Sequence, residues 1–194
     1  MVFPFIEMNK TILLLSLLSW LTGLLGCANQ SRQSSTSNSA SPTEVTPTVD
    51  LEKRNALVEQ YDLLHFYDKT APVFLTLDEF FNGNHDEASI APNLDTKLRV
   101  AEYYSLLKEV REDKKIVEVL VELKDVILYE NNQLNDNEWF YTDVIYFIGD
   151  ITPEEIAARV KDLQPDEVAY TEDERIMGLD ERYEGNKIVY IWWD

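Results

Sequence analysis

The sequence predicts an α+β domain at residues 50–194, with a mainly antiparallel sheet and about three helices. Segments of helical spacing and of period-two spacing alternate in the order α-β-α-α-β-β-α-β-β. Extended segments twice follow one another with no helix between them, as antiparallel strands do. About 145 residues is also the ordinary size of a single domain. We therefore expect one domain, preceded by a signal peptide and a disordered tether.

Capping patterns mark the expected helices. The first helix is predicted over 50–68, with Asp50 as its cap. Residues 76–79 have the spacing of a capping box, which starts a helix of one or two turns before Gly83 ends it. A third helix is expected over 98–111. The last one, over 152–163, begins with Thr at the cap and Pro at its first helical position.

Five extended segments are expected to form the sheet. They cover residues 73–75, 116–123, 139–148, 167–171 and 187–193. The second and third of them are predicted to pair as a hairpin with a long connection. Period-two spacing predicts that the second segment presents one apolar face and one charged face, formed respectively by Val117, Val119, Val121 and Leu123 and by Glu118, Glu122 and Lys124.

Residues 1–26 have the layout of a secretory signal peptide, with Lys10 ahead of an uncharged apolar run over 11–26. As a helix that run would span about 24 Å, which is shorter than a hydrocarbon core of about 30 Å. Met8 precedes a more typical basic start than Met1 does. We therefore expect translation to begin at Met8 and the leader to be removed, the alternative being an uncleaved anchor.

The end of this leader resembles the lipobox of bacterial lipoproteins, through Leu24, Leu25, Gly26 and Cys27. The resemblance implies that the lipoprotein processing enzymes attach a diacylglyceryl group to the Cys27 thiol, cut before it and acylate the new amino terminus. Palmitate is then expected on Cys27, which would anchor the protein stably in a membrane. Residues 27–49, rich in Ser and Thr, would form a flexible tether.

The net charge of −19 is carried by residues 50–194, since the few charges ahead of them cancel. A domain of this charge is repelled by nucleic acid, so binding to a phosphate backbone is excluded. The expected partner is cationic, either a protein with a basic surface or a metal ion.

Several classes of catalytic site are missing from the sequence. The two histidines, His65 and His85, are too few for a multi-histidine zinc site, and His65 is expected to be structural within the first helix. There is no Gly-x-Ser-x-Gly elbow and no glycine-rich phosphate loop. We expect no cofactor. Whether the protein is an enzyme is left open, and the preferred expectation is that it is not an enzyme.

Loop 82–87 contains the first candidate binding residues. Asn82, Asn84 and Asp86 alternate like the oxygen ligands of a calcium loop, but Glu87 stands where such a loop needs glycine. We therefore expect a turn-rich loop without a metal ion.

Glu138, Trp139, Tyr141 and Asp143 form the second candidate set. On an extended strand, Trp139, Tyr141 and Asp143 would share one face, which suits binding of a protein or a sugar or, alternatively, core packing. Glu138 and Asp143 could pair as glycosidase carboxylates, but two acids five residues apart point to opposite faces of a strand.

The last candidates are Trp192, Trp193 and Asp194. One tryptophan is expected to face inward and the other outward. Residues 73–84, 137–141 and 192–194 together resemble segments of an uncharacterised bacterial domain family of unknown function. The resemblance implies that Asn82 to Asn84, Glu138, Trp139 and Asp194 border one groove.

These observations predict a lipid-anchored cell-envelope protein whose acidic domain binds another protein, in an immunity-like or inhibitor-like role in the narrower version. The alternative is an envelope enzyme that binds a small ligand or a metal through Asp86, Glu87, Glu138 or Asp143. Close grouping of these acids together with raised pKa values would favour the enzyme, and dispersed acids around an exposed aromatic patch would favour binding. The expected location is the periplasmic face of the outer membrane, or the outer face of the plasma membrane in a cell with one membrane.

Overall fold

The structure, a computed structural model, describes residues 48–130, 133–171 and 176–194. The lipobox, Cys27 and the tether up to residue 47 lie outside these ranges. Within them, no helix combines the length and the apolar composition that crossing a bilayer requires.

A sheet of five strands organises the described residues. The strands are β1 (Val73–Thr76), β2 (Ile116–Leu123), β3 (Val144–Gly149), β4 (Glu167–Tyr170) and β5 (Lys187–Trp192). Their order across the sheet is β1-β2-β3-β5-β4, and each neighbouring pair is antiparallel. The predicted α+β class with an antiparallel sheet is confirmed.

Four α-helices accompany the sheet in the part of the chain that the structure describes, where about three were expected. They are α1 (Leu51–Tyr61), α2 (Leu77–Phe81), α3 (Val100–Arg111) and α4 (Pro153–Val160). Capping boxes begin α2 at Thr76 and α4 at Thr152, because in each case the threonine hydroxyl and a glutamate three residues later satisfy each other's backbone N–H groups.

The first helix is shorter than predicted. It ends at Tyr61, because Asp62 adopts a left-handed conformation with φ +49°, and a 3₁₀ segment, Leu63–Asp68, follows. His65 therefore lies outside α1, exposed to solvent, where its ring nitrogen bonds Asp62 at 2.7 Å. The prediction that His65 lies inside the first helix is therefore wrong.

The helices cover one face of the sheet. Alternate residues of the central strands, such as Val121, Phe147 and Ile191, are fully buried in a core shared with helical residues such as Phe80, Leu107 and Ile156. The strand residues between them point to the opposite face, where Leu120, Ile148 and Ile188 pack with Tyr183 in a smaller cluster. Away from that cluster the second face of the sheet is less covered.

Two predicted strand details are corrected. Pairing of β2 with β3 shifts register between Ile116 and Glu118, so Val117 is 57% exposed instead of sharing the apolar face. The strand predicted over 139–148 begins only at Val144. The residues ahead of it make isolated bridges, and the buried Thr142 hydroxyl bonds the Glu122 carbonyl at 2.7 Å.

Gly149, at the end of β3, is expected to tolerate no side chain. Its φ is +153°, and an added Cβ would collide with the Lys115 carbonyl oxygen and lie 3.0 Å from Ile116 Cα. Gly149→Ala should lower the free energy of unfolding by at least about 3 kcal/mol. Gly185→Ala is the control, since Gly185 also has a positive φ but no atom within 4 Å of the added Cβ. Gly185→Ala should lower the free energy of unfolding by about 1 kcal/mol. Both variants are measured by urea titration, and equal losses of unfolding free energy would contradict the prediction.

Candidate functional site

The structure brings most of the predicted residues of loop 82–87 together, but their side chains form hydrogen bonds that stabilise the fold. Buried Asn84 donates from Nδ2 to Ser89 Oγ at 2.8 Å, and its Oδ1 accepts the Asp86 N–H at 3.0 Å. Asp86 accepts the N–H groups of Ala88 and Trp139, each at 2.9 Å. The Asp86 carboxylate thus joins loop 82–87 to the segment that begins at Trp139.

The other acids around this loop are held in the same way. Glu87 accepts the N–H of Val100 at 3.1 Å, which satisfies one amide at the start of α3. Glu138 Oε1 accepts the Tyr129 hydroxyl at 2.7 Å, and the Glu138 carbonyl accepts Arg54 Nη1 at 2.9 Å.

Asn82 and Trp139 complete this region. Asn82 Oδ1 accepts Lys53 Nζ at 2.7 Å, while Trp139 is only 2% exposed and packs against Phe140 in the core. Among the residues that the structure describes, no three His, Cys, Asp or Glu side chains are grouped so that they could hold a metal ion. Loop 82–87 and the residues that it bonds therefore connect α1, α3 and the sheet, and we call them the loop assembly.

The adjacent tryptophans face opposite sides of the sheet. Trp193 is buried, donates from Nε1 to the Leu163 carbonyl at 2.8 Å and packs edge-on against Tyr103. Trp192 is half-buried on the less covered face. Asp194 does not extend the loop assembly: its N–H donates to Asp166 ahead of β4 at 2.8 Å.

An open groove lies on this second face of the sheet. It has a volume of about 510 Å³. We call it the open-face groove, and it is lined by Lys124, Val144, Tyr146, Glu167, Thr171, Ile176, Met177, Tyr190 and Trp192.

Strand register explains why aromatic side chains line the groove. Tyr146 and Tyr190 are direct cross-strand partners, with ring centroids 6.3 Å apart, and Trp192 pairs with Val144 on one side and Glu167 on the other. Partners in an antiparallel sheet point to the same face, so these residues form neighbouring rows. Exposed Met177 adds a flexible apolar side chain beside them.

A buried carboxylate stands next to these rings. Glu122 accepts the Tyr146 hydroxyl at 2.7 Å and Lys124 Nζ at 3.0 Å. Burial and then the hydrogen bond to Glu122 raise the pKa of Tyr146, so that hydroxyl remains a donor at physiological pH. Glu122 is thus held between a fixed donor from β3 and a cation from the residue that follows β2.

Asp143, one of the predicted site residues, lies just before β3. Its Oδ2 accepts the Tyr141 hydroxyl at 3.4 Å, whereas its buried Oδ1 has no hydrogen-bond partner among the described residues. Burial raises the pKa of Asp143, and the positive charge of Lys124 opposes this rise. Burial and the charge of Asp143 in turn raise the pKa of Tyr141 to about 12.

The sequence candidates did not include the groove residues Lys124, Tyr146, Met177 and Tyr190, nor Glu122, which bonds two of them. The alternating pattern of the strands did contain a clue, because Glu122 falls on the charged side of β2 and Tyr146, Tyr190 and Trp192 occupy alternate positions. Which face the helices leave open depends on tertiary packing.

Asp143→Asn is expected to stabilise the protein at pH 7. Because burial raises the pKa of Asp143 in the folded protein above 3.8, folding favours the protonated carboxyl group. The stability that protonation contributes is complete below pH 3.8 and is lost as the pH rises through the raised pKa. The neutral amide should therefore give a higher urea midpoint at pH 7, and the difference should vanish below pH 3.8. Exposed Asp95→Asn is the control, and a destabilised Asp143→Asn protein at pH 7 would refute the expectation.

Residues 52–189 match the family model of the uncharacterized protein YfbO family. No curated protein and no solved structure shows significant similarity to the chain. The matched residues run from α1 into β5, so they contain the loop assembly and seven of the nine groove-lining residues, while Tyr190 and Trp192 lie beyond the match. The match spans more than half of the sequence, and the chain therefore belongs to the uncharacterized protein YfbO family.

Proposed function

We propose that the protein is a lipid-anchored cell-envelope protein whose acidic domain binds a basic segment of another protein in the open-face groove. The observation that carries this proposal is the row of half-buried Tyr146, Tyr190 and Trp192 beside a buried carboxylate. Aromatic residues flanked by polar groups are typical of the energetic centre of protein interfaces.

The acids of the domain support binding over catalysis. Asp86 and Glu87 accept backbone N–H groups, so their oxygens serve the fold. A general acid or base would instead have to approach a substrate proton within hydrogen-bond reach. At the groove, Glu167 belongs to the lining with Tyr146, Tyr190 and Trp192, and buried Glu122 accepts the Tyr146 hydroxyl, so acidic and aromatic side chains lie together as at a binding surface.

Charge favours a basic partner. The chain carries 36 acidic and 17 basic residues, so its field attracts a cationic protein over long distances. Lys124, the single lining cation of the described residues, bonds Glu122 and acts on Asp143 through its charge, and Glu167 belongs to the same lining. Opposite charge raises association rates and rejects acidic competitors, as an immunity-like or inhibitor-like protein requires.

Membrane attachment is proposed from the lipobox at Leu24 to Cys27. A diacylglyceryl group with an acylated amino terminus supplies enough acyl chains for stable anchoring. The tether would then present the domain to partners at the membrane surface, on the periplasmic face of the outer membrane or, in a cell with one membrane, outside the plasma membrane.

Lipidation predicts that cells grown with an alkyne analogue of palmitate incorporate the label into this protein through Cys27. The Cys27→Ser variant should remain unlabelled and keep its leader, because the thiol is both the acceptor and the landmark for cleavage. Ser34→Ala in the expected tether is the control and should be labelled normally. Label on the Cys27→Ser protein would exclude this anchor.

Partner binding is tested by crosslinked capture from native cells, with a tag placed in the tether of the full chain. We expect one basic protein near equal stoichiometry. Trp192→Ala should reduce its recovery by about 30-fold, as loss of an interface hot-spot tryptophan does. Tyr67→Ala, which removes an exposed aromatic residue that is not among the groove-lining residues, is the matched control and should leave recovery unchanged.

Two results would overturn this proposal. One is equal loss in the two variants, with both proteins folded by circular dichroism. The other is recovery of the lipoprotein processing enzymes alone. The second result would shift the assignment to a small-ligand or enzymatic role, and metal and substrate screens would follow.

A further inference from the structure

We propose that Glu122 is the receptor for an arginine side chain of the partner, and that Lys124 occupies this receptor until the arginine displaces it. The inference rests on the proposed function of the open-face groove. It adds the chemistry of the group recognised there and an internal competitor for that group.

The Glu122 carboxylate is built to hold a cation. Its side chain is only 10% exposed, and the Tyr146 hydroxyl fixes one oxygen at 2.7 Å. The other oxygen is paired with Lys124 Nζ at 3.0 Å. A positive partner stabilises a carboxylate this buried, so a cation beside it is favoured in both the free and the bound protein.

Lys124 is a replaceable partner. Its side chain is 37% exposed and reaches Glu122 from the groove, whose lining includes it. An ion pair with one member so accessible contributes little, since the ammonium group recovers hydration when it leaves. A cation that enters the groove meets this pair first.

A second carboxylate is available to Lys124 after displacement. The charge of Lys124 already acts on Asp143, whose buried Oδ1 lacks a hydrogen-bond partner in the described part of the chain. A movement of the lysine from Glu122 towards Asp143 would therefore supply a partner for this oxygen. The exchange leaves both carboxylates with a cation.

Arginine is the cation that fits this receptor best. Tyr146, Tyr190 and Trp192 line the same groove as Lys124, next to Glu122. A guanidinium group binds a carboxylate through two parallel N–H donors and also stacks on aromatic faces, whereas an ammonium group is compact and more strongly hydrated. A lysine of the partner would gain less binding free energy by displacing the resident Lys124.

The test uses the purified full chain in a neutral detergent and the peptide Gly-Ser-Gly-Arg-Gly-Ser-Gly. Two analogues replace the arginine with lysine or with citrulline, which has the same shape but no charge. Calorimetry should rank their affinities in the order arginine, lysine, citrulline. Glu122→Gln should reduce the affinity for the arginine peptide to that for citrulline.

Displacement of Lys124 is tested with two variants of equal net charge. Lys124→Met removes the competitor, and Lys114→Met removes an exposed lysine that is not among the groove-lining residues. Affinity for the arginine peptide should be about two- to fivefold higher in Lys124→Met than in Lys114→Met, which is the strength of an accessible ion pair.

Three outcomes would overturn the inference: equal binding of the arginine and citrulline peptides, equal affinity of the two lysine variants, or preferential binding of chitotetraose, which would assign the groove to a saccharide. These outcomes are separable from failure of the proposed function. Capture that depends on Trp192 but not on Glu122 would refute the arginine receptor alone. Peptide binding without any captured partner would refute the protein-binding function instead.

Discussion

The structure depends on the period-two geometry of β3 and β5, which pair along their full length at the centre of the sheet. Because successive side chains of a strand point to opposite faces, Phe147 and Ile191 enter the core while Tyr146 and Tyr190 face the groove. A register slip of one residue would exchange these sets and expose the core. The pairing that stabilises the domain therefore also fixes the row of aromatic rings in the groove.

Polar groups serve two different purposes in this molecule. In the loop assembly, Asp86 and Glu87 accept backbone N–H groups and so stabilise connections that have no regular strand or helix. Beside the groove, Glu122 holds a cation that solvent can reach, and the buried Oδ1 of Asp143 has no hydrogen-bond partner among the described residues. Buried atoms without a partner among the described residues also occur beside loop 82–87, at Glu138 Oε2 and Trp139 Nε1, and each such atom costs stability.

Membership of the uncharacterized protein YfbO family carries no activity with it, so the functional argument stands on the groove and on charge. An acidic domain attracts basic proteins at long range, and the aromatic rows supply the contact area that charge alone lacks. The proposed exchange of Lys124 for an arginine combines the two, since the buried carboxylate keeps a cation throughout and the rings select its shape.

The sequence by itself determined what depends on neighbours along the chain. Thr76 with Glu79 and Thr152 with Glu155 satisfy helix ends within one turn, and period-two spacing alone predicts the extended segments. The tertiary structure decided that Asp62 ends α1 and that Val117 is excluded from the apolar face. It also decided that the Asp86 carboxylate accepts the Trp139 N–H, and that Trp192 rather than Trp193 borders the groove. These features depend on strand register and on contacts between residues far apart in the chain, and local spacing contains no information about them.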